Sequence, residues 1–314
     1  MRRPLIAVVA TLTLAVAACG NDDGNGNDGD AAAGDVTIGL SISTLENPFF
    51  VTLRDGAEAV AEDAGIELRV SDARDDAQSQ ANHVQDFITR SVDVLVVNPV
   101  DTAAIVPSIE AANDAGIPVV TVDRGSDGGE IAAHVASDNV LGGRLAGEFL
   151  FEQIGDSGEV AQLEGIAGTS AARDRGAGFQ EALDAASGID LVGSQAANFS
   201  RDEGLTVAEN VLQANSGLAG VFAQNDEMAL GAVEAARSAG LLDDLVIVGF
   251  DATDDALAAI DSGEMDATVA QLPSDMGGAA IEAAIAIANG DDVDAEQSVE
   301  VQLVTADNVG DFLE

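Results

Sequence analysis

The stretch Thr102-Ala-Ala-Ile-Val-Pro-Ser-Ile-Glu-Ala-Ala-Asn-Asp-Ala-Gly-Ile-Pro-Val-Val-Thr-Val-Asp-Arg124 decides the fold of the chain. Its first part, up to Ala115, is rich in alanine and predicts a helix. Gly116 then supplies a residue that accepts the left-handed conformation in which many helices end. Ile117 to Thr121 is a short apolar run that predicts a buried strand. A helix that ends on glycine and leads into a strand is part of a βαβ unit.

The same order of helix, glycine and strand recurs along the chain. A helical stretch from Pro48 ends before Gly65, and another ends at Gly240 shortly before a second apolar run. Strands that alternate with helices predict parallel sheets covered on both faces, with right-handed crossovers. Apolar strand candidates lie at 36–42, 66–70, 92–97, 158–163, 189–192, 218–222 and 245–249, and further helical stretches at 171–186 and 226–239.

Composition limits the kind of partner that the chain can have. Its 314 residues are enough for two domains, and with 10 Phe, no Trp and no Tyr the core must be aliphatic. The formal net charge of -44 repels nucleic acid phosphate, so we expect no nucleic-acid partner. We interpret the acidic excess as an adaptation to high salt, because genomic base bias explains the missing lysine but not the excess of acid.

The first residues predict export and a membrane anchor. Met1 to Arg3 is positively charged, and the apolar run from Leu5 to Ala17 is too short to span a bilayer. The small residues before Cys19 resemble a lipobox, which predicts a lipoprotein signal peptide over 1–18 and a lipid on Cys19. The alternative is an ordinary signal peptide with a chance cysteine. Residues 19–34 are rich in Gly, Asn and Asp and predict a flexible tether to the outer face of the cytoplasmic membrane.

Polar and aromatic side chains follow the predicted strands, at the edge where ligands bind in parallel α/β folds. Carboxylates, amides and guanidinium groups hydrogen-bond hydroxyls, and phenyl rings cover the apolar face of a sugar. These residues therefore predict a polyol site between two α/β domains. A core role is the simpler interpretation for any single Phe, but the set together favours a ligand site. The candidates are Ser43, Asn47, Phe49, Phe50, Asp123, Arg124, Arg173, Phe199, Asn225, Phe250, Asp251 and Gln271.

Two other classes of function were weighed against a binding protein. A glycosidase could use Asp123 and Asp251 as acid and base, but its acid needs a raised pKa, and we expect flanking arginines to lower it. A sugar-responsive repressor needs a helix-turn-helix where this chain has an export signal. We expect no catalytic residues, no metal site and no cofactor, since His83 and His134 are isolated in the sequence.

Several long motifs carry a family resemblance over nearly all of residues 35–304. They include Ser43-Thr-Leu-Glu-Asn-Pro-Phe-Phe50, Ala136-Ser-Asp-Asn-Val-Leu-Gly-Gly143, Gly165-Ile-Ala-Gly-Thr-Ser-Ala-Ala-Arg-Asp-Arg-Gly176, Phe222-Ala-Gln-Asn-Asp-Glu-Met-Ala-Leu-Gly231 and Val248-Gly-Phe-Asp251. In these motifs the chain resembles the periplasmic sugar-binding proteins of the type I periplasmic binding fold, and among them the D-ribose binders.

The resemblance implies an α/β fold of two doubly wound parallel-sheet domains joined by a three-strand hinge. It implies a monomer that clamps D-ribose between the domains and delivers it to an ABC transporter permease. Another pentose or related monosaccharide, such as allose or xylose, is the alternative ligand. The implied domains are 35–137 plus 271–299 and 138–270 plus 300–314, with hinges at 136–139, at 270–272 and near Glu300.

The resemblance also implies a role for every candidate residue except Phe250. Phe50 and Phe199 would sandwich the sugar ring with Phe49 beside them. Asp123 and Asp251 would accept hydrogen bonds from hydroxyls. Arg124 and Arg173 would donate, Ser43, Asn47 and Asn225 would add polar contacts, and Gln271 would lie at a crossing between the domains.

Overall fold

A computed structural model describes residues 36–313 of the chain. The signal peptide predicted for residues 1–18, the lipid site at Cys19 and the tether over 19–34 lie outside these described residues. Within residues 36–313, no helix is both long and apolar enough to cross a bilayer.

The first sheet has six parallel strands in the order β11-β5-β4-β3-β1-β2. Its strands are β1 (Thr37–Ile42), β2 (Glu67–Asp72), β3 (Val94–Val97), β4 (Val119–Val122), β5 (Ala133–Ser137) and β11 (Glu296–Val299). The helices packed on it are α1 (Pro48–Ala64), α2 (Ala77–Thr89), α3 (Val106–Asp114) and α9 (Pro273–Asn289). We call this sheet with its helices the first lobe.

The second sheet also has six strands, in the order β12-β10-β9-β8-β6-β7. Its strands are β6 (Gly158–Glu164), β7 (Ile189–Ala196), β8 (Leu218–Ala223), β9 (Val246–Val248), β10 (Ala267–Ala270) and β12 (Gln302–Thr305). Its helices are α4 (Asn139–Gln153), α5 (Ser170–Ala185), α6 (Arg201–Ala214), α7 (Asp226–Ala239) and α8 (Asp254–Asp261), with short 3-10 helices at Leu242–Asp244 and Val309–Asp311. We call this sheet with its helices the second lobe.

Each sheet has a buried apolar cluster on both of its faces. In β3, Val94 and Val96 belong to the cluster under α1 and α9, whereas Leu95 and Val97 belong to the one under α2 and α3. This alternation follows from the two-residue period of a strand. Strands buried on both faces are the hallmark of a doubly wound sheet, and this confirms the predicted fold class.

The chain passes from one sheet to the other three times: after β5, after β10, and between β11 and β12. These passages fall within the segments that the sequence predicts as hinges. One strand departs from the parallel prediction, because β12 pairs antiparallel with β10. The chain reverses its path over a short link at the last crossing, and an antiparallel edge strand is common on such sheets.

Two helices end where the sequence predicts, but one helix begins later than predicted. Helices α1 and α7 end on Gly65 and Gly240, which have φ values of 68° and 69°. The helix predicted from Thr102 begins at Val106 instead. The Asp101 side chain accepts hydrogen bonds from the amides of Ala103 and Ala104, which holds the chain in a turn before the helix.

Candidate functional site

A narrow cavity lies at the carboxyl ends of the strands, between the two lobes. Each lobe contributes five of its lining residues. The lining consists of Asn47, Phe49, Phe50, Asp123 and Arg124 from the first lobe and Ala171, Arg175, Phe199, Asn225 and Asp251 from the second. An outer cavity of about 260 Å³ shares Asn47, Phe50, Arg124 and Phe199 with it. We call the inner cavity the ligand pocket.

Two asparagines of the ligand pocket are also helix caps. The Asn47 side chain accepts a hydrogen bond from the amide of Phe49 at 2.9 Å and caps α1. The Asn225 side chain accepts from the amide of Met228 at 3.0 Å and caps α7, and its amide nitrogen donates to the carbonyl of Phe199 at 3.3 Å. Helices that follow parallel strands begin at the same edge of the sheet, so their caps reach the pocket from both lobes.

Phe199 contacts two arginines that come from different lobes. The guanidinium carbon of Arg124 is 5.0 Å from the centre of the Phe50 ring and 5.5 Å from that of Phe199. The guanidinium carbon of Arg175 is 3.9 Å from the centre of the Phe250 ring and 5.8 Å from that of Phe199. These cation–π contacts hold both guanidinium groups in place at the pocket.

The ligand pocket contains one carboxylate–guanidinium pair from each lobe. Arg124 Nε lies 3.7 Å from Asp123 Oδ2, and Arg175 Nη1 lies 3.5 Å from Asp251 Oδ1, with all four side chains at most 4% exposed. Asp123 Oδ1 and Arg124 Nε are buried without a hydrogen-bond partner among the described residues. An acceptor and a donor buried in this way cost free energy unless a polar ligand pairs with them, and a sugar hydroxyl can do either.

Three pocket residues other than glycine have positive φ angles. These are Asp123 at 62°, Phe199 at 61° and Asp251 at 127°. Such backbone conformations are costly for residues with a Cβ, and they cluster at binding sites where the surrounding structure enforces them. The amide of Asp123 donates to the carbonyl of Val135 on β5, and the amide of Asp251 donates to that of Val269 on β10. The backbones of both acidic residues are therefore hydrogen-bonded to β5 and β10, the strands after which the chain passes from one lobe to the other.

Burial raises the pKa of both pocket carboxyl groups. Loss of water raises the pKa of Asp123, and it raises the pKa of Asp251 well above its ordinary value. Arg124 and Arg175 oppose this effect but do not outweigh it. The arginines thus lower these pKa values as expected, but the net pKa of both acids is still raised, because the arginines are buried together with the acids and the loss of water costs more.

Some predicted site residues lie behind the ligand pocket rather than in its wall. Gln271 donates to Asp251 Oδ1 at 2.7 Å, and its own Oε1 is buried without a partner among residues 36–313. Phe250 is fully buried and packs against the face of the Arg175 guanidinium. The amide of Ser43 donates to Asn98 Oδ1 at 3.1 Å, which places Ser43 behind the carboxylate of the first lobe.

The structure does not bring Arg173 to the ligand pocket. Its side chain is 48% exposed and contacts Thr102 and Asp127 of the first lobe. Arg175 occupies the position that the sequence assigns to Arg173. Successive residues of a helix are separated by about 100°, so residues 173 and 175 face nearly opposite sides of α5, and only one of them can reach the pocket.

Sequence reasoning missed two residues that shape the site. Arg175 is two positions beyond Arg173 in the same motif, and it also donates to Asn139 Oδ1 at 2.8 Å and to the carbonyl of Gln224 at 2.7 Å. Asn98 donates to Asp123 Oδ2 at 3.2 Å and is fully buried. Asn98 could have been predicted as a site residue because it directly follows a strand. Nothing in the sequence indicated which of the two arginines reaches the pocket.

Two doubly wound lobes that share one polar and aromatic cleft are the arrangement of the periplasmic solute-binding proteins, which close around their ligands. The family model for the periplasmic binding protein domain matches residues 38–292, and the chain belongs to this family.

The chain is also similar to several named sugar-binding proteins. The chain is 44% identical to the ribose import binding protein of Escherichia coli strain K12, over 94% of this chain and 97% of that protein. It is 46% identical to the ribose import binding protein of Bacillus subtilis strain 168, over 86% of this chain and 87% of that one. A solved periplasmic solute-binding protein of Actinobacillus succinogenes with bound D-allose matches with a TM-score of 0.83 at 33% identity, covering 88% of this chain and all of that one. All three are binding proteins of import systems or ABC transporters.

Proposed function

We propose that this protein binds D-ribose in the ligand pocket and delivers it to the permease of an ABC importer. The observation that carries the proposal is the pair of buried carboxylate–guanidinium contacts, Asp123 with Arg124 and Asp251 with Arg175, one from each lobe. Relatives named as ribose import binding proteins, at 44% and 46% identity, support the choice of ribose.

The pocket chemistry fits a small sugar. Charged partners form hydrogen bonds roughly twice as strong as neutral ones, and each hydroxyl left unpaired on burial costs about 1 to 3 kcal/mol. The Phe50 and Phe199 rings offer apolar faces for the carbon skeleton. A sugar with one hydroxyl displaced would leave a buried charged group unpaired, so the site should discriminate strongly between epimers.

Closure of the lobes is the second part of the proposed function. A ligand that touches both lobes stabilises the closed state by its greater affinity for that state. We propose that the domains 35–137 plus 271–299 and 138–270 plus 300–314 move about hinges at 136–139, at 270–272 and near Glu300. The permease would then distinguish the closed form from the open form.

The proposed location is outside the cytoplasmic membrane. Residues 1–18 would be removed, Cys19 would carry the lipid, and residues 19–34 would let a monomeric body reach the permease from the membrane surface. Mass spectrometry of the mature N-terminus would test this part, since an unmodified cysteine would contradict the anchor.

D-allose or another close monosaccharide is the second candidate ligand. The relative with bound D-allose supports it, and so does the outer cavity, which adjoins the ligand pocket along Phe50 and Phe199. We propose no catalysis. The raised pKa of Asp251 would suit a general acid, and release of product from an oligosaccharide on incubation would overturn this part of the proposal.

A thermal-shift panel of pentoses and hexoses tests the ligand directly. A ligand at a hundred times its dissociation constant adds about 2.7 kcal/mol to the free energy of unfolding, so the specific sugar should stand out. D-ribose is expected to give the largest shift, and Asp123→Ala should abolish it. A larger shift with another sugar and none with ribose would contradict ribose but leave the class of binding protein standing.

A further inference from the structure

Beside the ligand pocket, two backbone amides of the first lobe donate hydrogen bonds to the second lobe. The amide of Thr102 donates to the carbonyl of Gly168 at 2.8 Å. The amide of Gly125 donates to Ser170 Oγ at 2.9 Å. Both donors follow strands of the first sheet, and both acceptors lie at or just before the start of α5 in the second lobe. The two lobes are thus joined here through the protein alone.

Arg173 adds two further contacts at the same place. Its Nη1 donates to Thr102 Oγ1 at 3.0 Å, and its Nη2 donates to Asp127 Oδ1 at 3.2 Å. The Asp127 amide donates in turn to the carbonyl of Thr102 at 2.9 Å, which holds both partners of the arginine in one loop cluster. Arg173 and Asp127 are each 48% exposed, and neither lines the ligand pocket.

From these contacts we infer that Arg173 is a positioning residue: it holds the two lobes together through Thr102 and Asp127 without touching the sugar. This inference rests on the proposed function, in which the lobes close on a ligand. We call the group the closure latch. It consists of Thr102, Gly125, Asp127, Gly168, Ser170 and Arg173.

Gly168 shows how closely the lobes approach at the latch. A Cβ at this position would lie 1.9 Å from Asp101 Oδ2. The Asp101 carboxylate cannot easily yield, because its Oδ1 accepts hydrogen bonds from Ala103 N at 2.9 Å and Ala104 N at 2.7 Å. A side chain at Gly168 would therefore oppose closure without changing any charge.

The latch acts on the release of sugar rather than on its recognition. Its contacts join groups of different lobes, so they exist only while the lobes are together. They stabilise the closed state and slow the opening step that frees the ligand, whereas the rate of entry into the open form is unaffected. Because the Arg173–Asp127 pair is exposed, salt screens it, and the latch should weaken as ionic strength rises.

The test compares Arg173→Ala with a matched control, Arg144→Ala. Arg144 is 39% exposed and forms an ion pair at 3.0 Å with Glu148 on the same helix, α4, so this ion pair lies within one lobe. Dissociation of radiolabelled D-ribose is followed after a chase with unlabelled sugar, at low and high salt. Arg173→Ala should release ribose about three- to tenfold faster with an unchanged association rate, whereas Arg144→Ala should match the unmodified protein.

Two further variants sharpen the test. Asp127→Asn should accelerate release in the same direction, and its effect should not add to that of Arg173→Ala, because the two share one contact. Gly168→Ala should weaken binding although its charge is unchanged. The unmodified protein should release ribose faster at high salt, and Arg173→Ala should lose most of that dependence.

Several outcomes would overturn the latch. Release from Arg173→Ala at the unmodified rate would do so, and so would complete loss of binding, which would make Arg173 a sugar contact. If no sugar in the panel binds, the proposed function fails, and hydrogen exchange then decides the latch by itself. Protection of the Thr102 and Gly125 amides must fall in Arg173→Ala relative to Arg144→Ala, and equal protection would refute the latch.

Discussion

Arg173 and Arg175 lie two residues apart on α5, yet one guanidinium group joins the lobes at the surface and the other is buried in the ligand pocket. Arg173 bonds to Thr102 and Asp127, whereas Arg175 lies 3.5 Å from the Asp251 carboxylate. The turn of about 100° per helical residue separates them, although their side chains are chemically identical.

Arg175→Ala should abolish sugar binding. It removes the cation beside Asp251 and the cation–π contacts with Phe250 and Phe199, so affinity for ribose should fall by at least about a hundredfold. Isothermal titration calorimetry measures the change, with Arg144→Ala as the control. Retention of most of the affinity in Arg175→Ala would contradict the assignment of Arg175 to the pocket.

Phe199→Ala should weaken binding by about tenfold and leave the fold intact. The ring lines the pocket and contacts the Arg124 and Arg175 guanidinium groups, and each cation–π contact contributes about 0.5 to 2 kcal/mol. Calorimetric titration with ribose gives the affinity, and circular dichroism checks the fold. Phe149→Leu, at a half-buried position in the core of the second lobe, is the control, and an equal loss of affinity there would point to general destabilisation.

Asp226 should make the stability of the protein depend on pH. Burial raises its pKa to about 7, although Thr268 Oγ1 at 2.6 Å and the Thr253 amide at 2.8 Å donate to its carboxylate. Between pH 3.8 and about 7, the Asp226 carboxyl group is therefore protonated in the folded chain but ionised in the unfolded chain, where its pKa has the ordinary value of 3.8. The contribution of this group to stability is therefore full below pH 3.8 and is lost as the pH rises to about 7.

Asp226→Asn, which stays neutral at every pH, should flatten this part of the profile. Urea unfolding between pH 4 and 8 measures the effect, with the exposed Asp63→Asn as the control. Buried Asp123 and Asp251 shift in the same direction, so part of the slope should persist in the variant. An unchanged slope in Asp226→Asn would show that its carboxyl group is not the source.

Salt should stabilise the folded chain. A net charge of -44 places many carboxylates near one another, and their repulsion is screened when the Debye length falls from about 10 Å at 0.1 M to about 3 Å at 1 M. The midpoint of urea unfolding should rise between these concentrations of sodium chloride. A midpoint that stays constant would contradict the interpretation of the acidic excess as an adaptation to salt.

Local chemistry in the sequence was enough to predict the bounds of several elements. Pro48 at the first turn and Gly65 at the end delimit α1 over Pro48–Ala64, as predicted, because proline and glycine act through their own backbone restrictions. The start of α3 could not be predicted, since it depends on the Asp101 side chain capping two amides of the following turn. The antiparallel pairing of β12 depends on a strand that is more than thirty residues away in the chain.

The sequence by itself determined the alternation of strands and helices, the acidic surface, and the set of polar and aromatic residues that follow the strands. These properties depend on residue type and local order. The tertiary structure decided which of those residues meet. It placed Arg175 rather than Arg173 beside Asp251, it fixed Asp251 at a φ of 127°, and it buried the carboxylates so deeply that their pKa values rise despite adjacent arginines. Helix phase, backbone strain and burial arise only when distant segments pack together, so they become visible only in the folded chain.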